Sequence, residues 1–157
     1  MPEHALPPHP LDELLTQLVD HVFALSSHFL AAGDTITAPE GLSAARWLVL
    51  GALQNGPMSP AGIARQRGLT RQSVRESVAR LEGSGHISRA DGEDRRTFLV
   101  ELTDKGRQAL DRIEPRRREW ATQTALNVDS AHLEGAVTVL GQLRSMTEAR
   151  PLRKEDE

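Results

Sequence analysis

The stretch from Leu69 to Gly106 limits the possible folds more tightly than any other part of the chain. It reads Leu-Thr-Arg-Gln-Ser-Val-Arg-Glu-Ser-Val-Ala-Arg-Leu-Glu-Gly-Ser-Gly-His-Ile-Ser-Arg-Ala-Asp-Gly-Glu-Asp-Arg-Arg-Thr-Phe-Leu-Val-Glu-Leu-Thr-Asp-Lys-Gly. Thr70 is placed to cap a helix, because its hydroxyl can accept an orphan amide of the first turn. Val74, Val78 and Leu81 follow at helical spacing and form one apolar stripe. The Gly83-Ser84-Gly85 cluster ends that helix by permitting a left-handed cap. Ile87–Ala90 and Thr97–Leu102 read as two short strands, joined by the polar loop 91–96. A helix followed by a hairpin with a basic tip is the layout of a winged helix that reads DNA.

The outer face of the helix agrees. At about 100° per residue, Gln72, Glu76 and Ala79 lie opposite the apolar stripe, flanked by Ser73, Arg75 and Arg80. Arginine can pair bidentately with guanine in the major groove, and glutamine with adenine. Thr70 and Arg71 sit at the helix start, where amides and positive charge meet phosphate. Glu76 and Arg80 are also spaced for an i,i+4 surface pair. A solvated amphipathic helix would carry a similar face. The hairpin tip, with Asp94, Arg95 and Arg96, favours DNA. There Asp94 is expected to orient an arginine while Arg95 or Arg96 reaches the minor groove.

Four pieces stand in order: Leu-Thr-Arg-Gln-Ser-Val, Leu-x-x-x-Gly-x-Ile, Asp91-x-x-Asp94-Arg95-Arg96 and Leu102-Thr103-Asp-Lys-Gly106. In this order and spacing the sequence resembles the MarR family of bacterial transcription regulators. Glu93 stands where many members carry arginine. The resemblance implies a homodimer that acts on double-stranded DNA, with repression by promoter occlusion as the usual mode. It also implies ligands that bind between lobes and change the spacing of the two recognition helices.

Composition narrows the alternatives. The 157 residues suit one domain with a modest core. With no cysteine, a disulfide scaffold, a thiolate zinc site and a cysteine redox switch are ruled out. Aromatic residues make up 3% and none is tyrosine, too few for a platform that stacks single-stranded bases. No apolar run has the length of a membrane span, and the start lacks a signal pattern, so a cytoplasmic protein is expected. The net charge of −3 conceals a division along the chain. Residues 1–59 hold one base and six acids, residues 60–118 fourteen bases and nine acids, and residues 119–157 four bases and seven acids. The +5 surplus therefore falls on the winged helix and the segment after it, as a footprint on phosphate requires.

The rest of the chain frames this lobe. Residues 1–10 read as a flexible, Pro-rich arm. Leu11, Leu15, Leu18, Val22, Leu25 and Phe29 mark a helix over 11–31 that Ala32-Gly33-Asp34 should end. Its apolar stripe asks for a partner helix. Ser43 caps an almost wholly apolar helix, Ala44–Gln54. Ser59-Pro60 starts a short helix that Gly68 closes, which completes a helix-turn-helix. Thr103 caps a long helix to about Asn127, which Pro115 should kink or break. Asp129 caps a last helix to about Ala149, and 150–157 is a charged tail.

The expected architecture is thus mainly α. A single domain spans 11–149, with a winged helix-turn-helix DNA-binding lobe at 43–102 and a small β-hairpin wing. Helices at 11–31 and 103–149 flank the lobe and build a homodimer. Trp47 is a candidate contact for a small, partly aromatic, anionic effector, with His21 or His28 as polar partner. No cofactor is expected. The histidine spacings form no compact metal site, and no catalytic constellation is present. Two other readings stay open: an architectural DNA-binding protein without sequence preference, and a winged helix that binds protein.

Overall fold

The computed structural model describes residues 10–90 and 98–149. They fall into two compact units, divided between Arg117 and Arg118. The first unit holds α1 (Pro10–Thr37), a 3-10 turn (Ala38–Glu40), α2 (Ala44–Ala52), α3 (Pro60–Arg67), α4 (Arg71–Gly83), β1 (Ile87–Ala90), β2 (Leu99–Leu102) and the start of α5 (Asp104–Ala125). The second holds the end of α5 and α6 (Ser130–Ala149).

Helix starts follow local chemistry. Ser43, Ser59, Thr70 and Thr103 accept from the amides of Arg46, Gly62, Ser73 and Gly106 at 3.4, 3.1, 3.1 and 3.2 Å. Asp129 accepts from His132 at 3.1 Å. Each cap satisfies a donor that the first turn leaves unpaired. Gly68 closes α3 at φ 64°, in the left-handed region that favours glycine.

The core of the first unit gathers one side chain or more from every element of the lobe. Val49 and Leu50 of α2, Ile63 of α3, Val74 and Leu81 of α4, Val100 of β2 and Ile113 of α5 are fully buried. The Val74/Val78/Leu81 stripe thus faces inward as its spacing predicts. α2 packs on α1 and also on α3 and α4, so its nearly continuous apolar surface meets neighbours on both sides. β1 and β2 pair antiparallel, with Ile87 opposite Leu102. Met58, just before α3, adds a bridge to Val100 through two 3.0 Å backbone bonds.

Three expectations need correction. α1 does not stop at Ala32-Gly33-Asp34; it runs on to Thr37. Gly33 is a contact point there, because a β-carbon on it would lie 2.8 Å from the Ala44 Cβ. Asp34 reaches across to accept from the Ala44 amide at 2.7 Å. Both residues serve the joint between α1 and α2. Of the kink or break expected at Pro115, the break does not occur, and α5 continues through it. Pro115 and Asp111, whose carbonyl loses its helical donor, are both exposed, so water can take the place of the missing bond. α2 ends at Ala52 rather than Gln54, with the Leu53 amide bonded to the Leu50 carbonyl at 3.1 Å.

Arg116 and Arg117, in the basic stretch after Pro115, both make ion pairs within the chain. Arg112 and Arg116 grip Glu40 at 2.8 and 3.2 Å, and Arg116 Nε also donates to the Ile36 carbonyl at 2.9 Å. The Arg112 bond, with help from Arg116 and against the opposing effect of burial, holds the Glu40 carboxyl below its ordinary range. Arg117 makes a two-pronged pair with Glu114 at 2.7 and 2.8 Å.

Long apolar side chains remain uncovered in both units. On α1 they include Leu11, Leu14, Leu15, Val19, Val22, Phe23, Leu25, Phe29 and Leu30. On α6 they include Leu133, Val137, Leu140 and Met146, and this helix buries no residue at all.

Candidate nucleic-acid interface

α3 and α4 meet through the short turn Gly68-Leu69-Thr70, in which the Leu69 amide bonds the Ala64 carbonyl at 3.0 Å. α4 turns Val74, Ser77, Val78 and Leu81 to the core and leaves Thr70, Arg71, Gln72, Arg75, Glu76, Ala79 and Arg80 exposed. Ser73 is half-buried at the flank. The exposed α4 residues among those expected to meet DNA thus lie on the outward side of a helix held from behind. Three of them are arginines. Glu76 is not paired with Arg80; its Oε1 accepts from Gln72 Nε2 at 2.9 Å.

The end of α4 is tied to the base of the hairpin. Gly85 takes a left-handed φ of 75°, which turns the chain so that the His86 amide bonds the Leu81 carbonyl at 2.9 Å. Ser84 Oγ lies 2.7 Å from His86 Nδ1. Burial, and then the charges of Lys105, Arg46 and Arg112, hold the His86 imidazole below its ordinary pKa, so its neutral form is favoured. Arg89 on β1 donates to Glu82 of α4 at 2.9 Å and places its guanidinium 4.3 Å from the centre of the Phe98 ring. The first contact links β1 to α4, and the second lies within the hairpin. Nothing local in the sequence marks the partners of Arg89. Asp94, Arg95 and Arg96 lie outside the described residues.

A second feature lies behind this surface. Trp47, Leu48, Gly51 and Gln54 of the α2 region, Arg67 of α3, and Leu110, Glu114 and Arg117 of α5 line a cavity of about 290 Å³. Gly51 makes room for Arg67, whose Nη2 lies 3.0 Å from where a β-carbon would stand. Two arginines against one glutamate give this lining a net charge of +1. Trp47 is thus one of the residues that line a cavity. His21 and His28 are exposed on α1 and are not among its lining residues. Among the described residues no group of histidine and carboxylate side chains is arranged to hold a metal ion. No helix among them is long and apolar enough to cross a membrane.

Comparison with known proteins leads to the same place. The MarR family model matches residues 40–97. An uncharacterised protein of Mycobacterium bovis is 30% identical over 79% of this chain and 87% of its own length. BadR, a transcriptional activatory protein of Rhodopseudomonas palustris, is 34% identical over 60% of this chain and 57% of its own length. The crystal structure of the transcriptional regulator BldR from Sulfolobus solfataricus superposes with a TM-score of 0.75 at 26% identity, covering 86% of this chain and 99% of that one. With the helix-turn-helix, the hairpin and the exposed arginine-bearing helix already in place, these likenesses assign the chain to the MarR family of winged helix-turn-helix transcription regulators, which bind DNA.

Proposed function

We propose that this protein is a homodimeric regulator in the cytoplasm. In this reading it recognises a near-palindromic operator with α4 in the major groove and the 91–96 loop in the adjacent minor groove. The observation that carries the reading is the outer face of α4. Arg71, Gln72, Arg75, Glu76 and Arg80 are exposed together, while the other side of the helix is locked into the core. A dimer sets two such helices one DNA turn apart, so half-site centres about 10 base pairs apart are expected. The uncovered apolar surfaces of α1 and α6 support the dimer.

The test is a binding selection from random duplexes, followed by titration at several salt concentrations. Arg75→Ala is expected to cost roughly 1–3 kcal/mol on the selected site and to flatten the preference at one base pair per half-site. Arg95→Ala or Arg96→Ala should weaken all duplexes more evenly. Either should lower the salt slope by about one unit if its arginine meets phosphate. Tight binding with no preferred sequence would favour an architectural protein. No salt-dependent affinity for DNA would favour a protein-binding module.

Repression by covering a promoter is the proposed mode. Activation is the second reading, favoured by the likeness to BadR. The position of the selected operator relative to the promoter start, with transcription in a purified system, separates the two.

We also propose that a small aromatic acid binds in the Trp47 cavity and lowers affinity for the operator. The cavity has the size of a small-ligand site, an aromatic wall and a positive lining. Such a ligand must bind the wrong-spacing state more tightly, since equal affinity for both states shifts nothing. Trp47 and Trp120 are the two tryptophans of the chain, so a Trp120→Phe variant reports on Trp47 alone. Titration with phenolic and aromatic acids should quench its emission in step with operator release. Release without any change in Trp47 emission would place the pocket elsewhere.

A further inference from the structure

The Gln72–Glu76 contact points to a role in choosing the base that α4 reads. We propose that Glu76 is a specificity-positioning residue, which holds the Gln72 amide in the one orientation that matches adenine. This rests on the reading that α4 enters the major groove.

The chemistry begins with the carboxylate. An ionised carboxylate only accepts hydrogen bonds, whereas a glutamine amide carries a carbonyl acceptor and an NH2 group with two donors. Gln72 Nε2 gives one of those donors to Glu76 Oε1 at 2.9 Å. A half-turn of the amide would bring its carbonyl against the carboxylate, two acceptors face to face. Glu76 therefore blocks that flip. One N–H and the carbonyl are left for DNA.

That remaining pair is selective. Adenine shows the major groove an acceptor at N7 and a donor at N6, which complement one N–H and one carbonyl. Guanine shows two acceptors, N7 and O6, so the held amide would set its carbonyl against one of them. Cytosine offers only its N4 donor and thymine only its O4 acceptor beside a methyl group. A freely turning glutamine could present either end to any of these bases. The held one is committed to adenine.

Glu76 also has a cost for binding. It sets a negative charge on a surface that meets a polyanion, which disfavours every duplex alike. Arg71, Arg75 and Arg80, exposed on the same helix, offset that repulsion. The pair thus trades general affinity for discrimination. Its two residues lie one helical turn apart, and α4 holds the turn rigid because Val74 and Val78, between and beyond them, are buried in the core.

The experiment compares the full-length wild type with Gln72→Ala, Glu76→Ala and Glu76→Gln, by selection from random duplexes and by competition titration. Wild type should prefer adenine at one base pair of each half-site by roughly 5- to 150-fold, the range of a good bidentate contact. Gln72→Ala should erase that preference. Glu76→Ala should cut it to about threefold or less and raise affinity for unrelated duplexes. Glu76→Gln loses the charge and gains an NH2 group that can donate to a flipped Gln72 carbonyl, so it should lose most of the preference while also binding unrelated duplexes more tightly. A merely structural loss would weaken all duplexes and leave the base profile unchanged. An adenine preference that survives Glu76→Ala overturns the proposal. So does a Glu76→Ala loss confined to a cytosine, which would make Glu76 itself the reader. If the wild type shows no base preference, or if Gln72→Ala leaves the profile unaltered, the placement of α4 fails and this proposal with it.

Discussion

Gly106→Ala is expected to lower the midpoint of thermal unfolding by roughly 6–12 °C, the largest loss from such a change at any glycine among the described residues. Gly106 lies in the first turn of α5, where a β-carbon would overlap the carbonyl oxygen of His86 and press on Leu102 Cδ2 at 3.2 Å. The obstacle is backbone, so no rotamer change can relieve it. That backbone is also committed on every side. The His86 carbonyl accepts from the Thr103 amide at 3.1 Å, and Thr103 Oγ1 donates to the Gly85 carbonyl at 2.6 Å. Lys105 Nζ donates to the Ser84 carbonyl at 2.6 Å. The start of α5 is therefore fastened to the corner between α4 and β1, and a methyl group would have to part them. Overpacking of this kind costs about 3 kcal/mol at the upper end of its usual range. At this chain length each kcal/mol moves the midpoint by about 2–4 °C. Gly135→Ala is the control. Nothing lies within 4 Å of its added carbon, and alanine is the better helix former. Calorimetry at one fixed protein concentration checks both. Equal midpoints for the two variants would show that the corner yields freely.

The double variant Val22→Glu/Phe29→Glu should convert the proposed dimer to a monomer and reduce operator affinity by about 10²- to 10⁴-fold. Val22 and Phe29 stand seven residues apart on the apolar surface of α1 and are 41% and 49% exposed in the single chain. Covering a side chain of this size is worth about 1.5–3 kcal/mol, and nine large ones on α1 are available. A carboxylate forced into such a surface would be buried without a partner, which is costly. Loss of operator affinity then follows from the loss of linkage, because each half-site must be bound independently. Sedimentation at micromolar concentration and an operator titration read the two effects. The variant should keep its near-ultraviolet dichroism, since Val22 and Phe29 are exposed in the single chain and are not among the buried core residues. A variant that still sediments as a dimer would move the interface away from this part of α1.

Much of the fold was legible in the sequence because its signals are local. Ser43, Ser59, Thr70, Thr103 and Asp129 start helices through bonds to amides three residues on, and each does so in the structure. The inward stripe of α4 follows from helical periodicity alone. It also settles which α4 residues face out, and so most of the candidate DNA-reading surface. The surplus of positive charge in residues 60–118 needs only the order of residues. What stayed hidden depends on residues far apart in the chain. Gly33-Asp34 reads as a helix end, yet close packing against Ala44 and a bond to its amide carry α1 past it. Arg112 and Arg116 read as part of a basic helix until Glu40, more than seventy residues earlier, takes up their charge. Trp47 reads as a candidate ligand contact, but that Arg67 and Arg117 line the same cavity depends on how separate elements pack. Even the Gln72–Glu76 bond, short in sequence, competes with an equally spaced Glu76–Arg80 pair that sequence alone cannot rank. Caps, periods and net charge are properties of neighbours along the chain and can be read from it. Close approaches, ion-pair partners and cavities depend on which faces are buried together, and only the folded chain decides that.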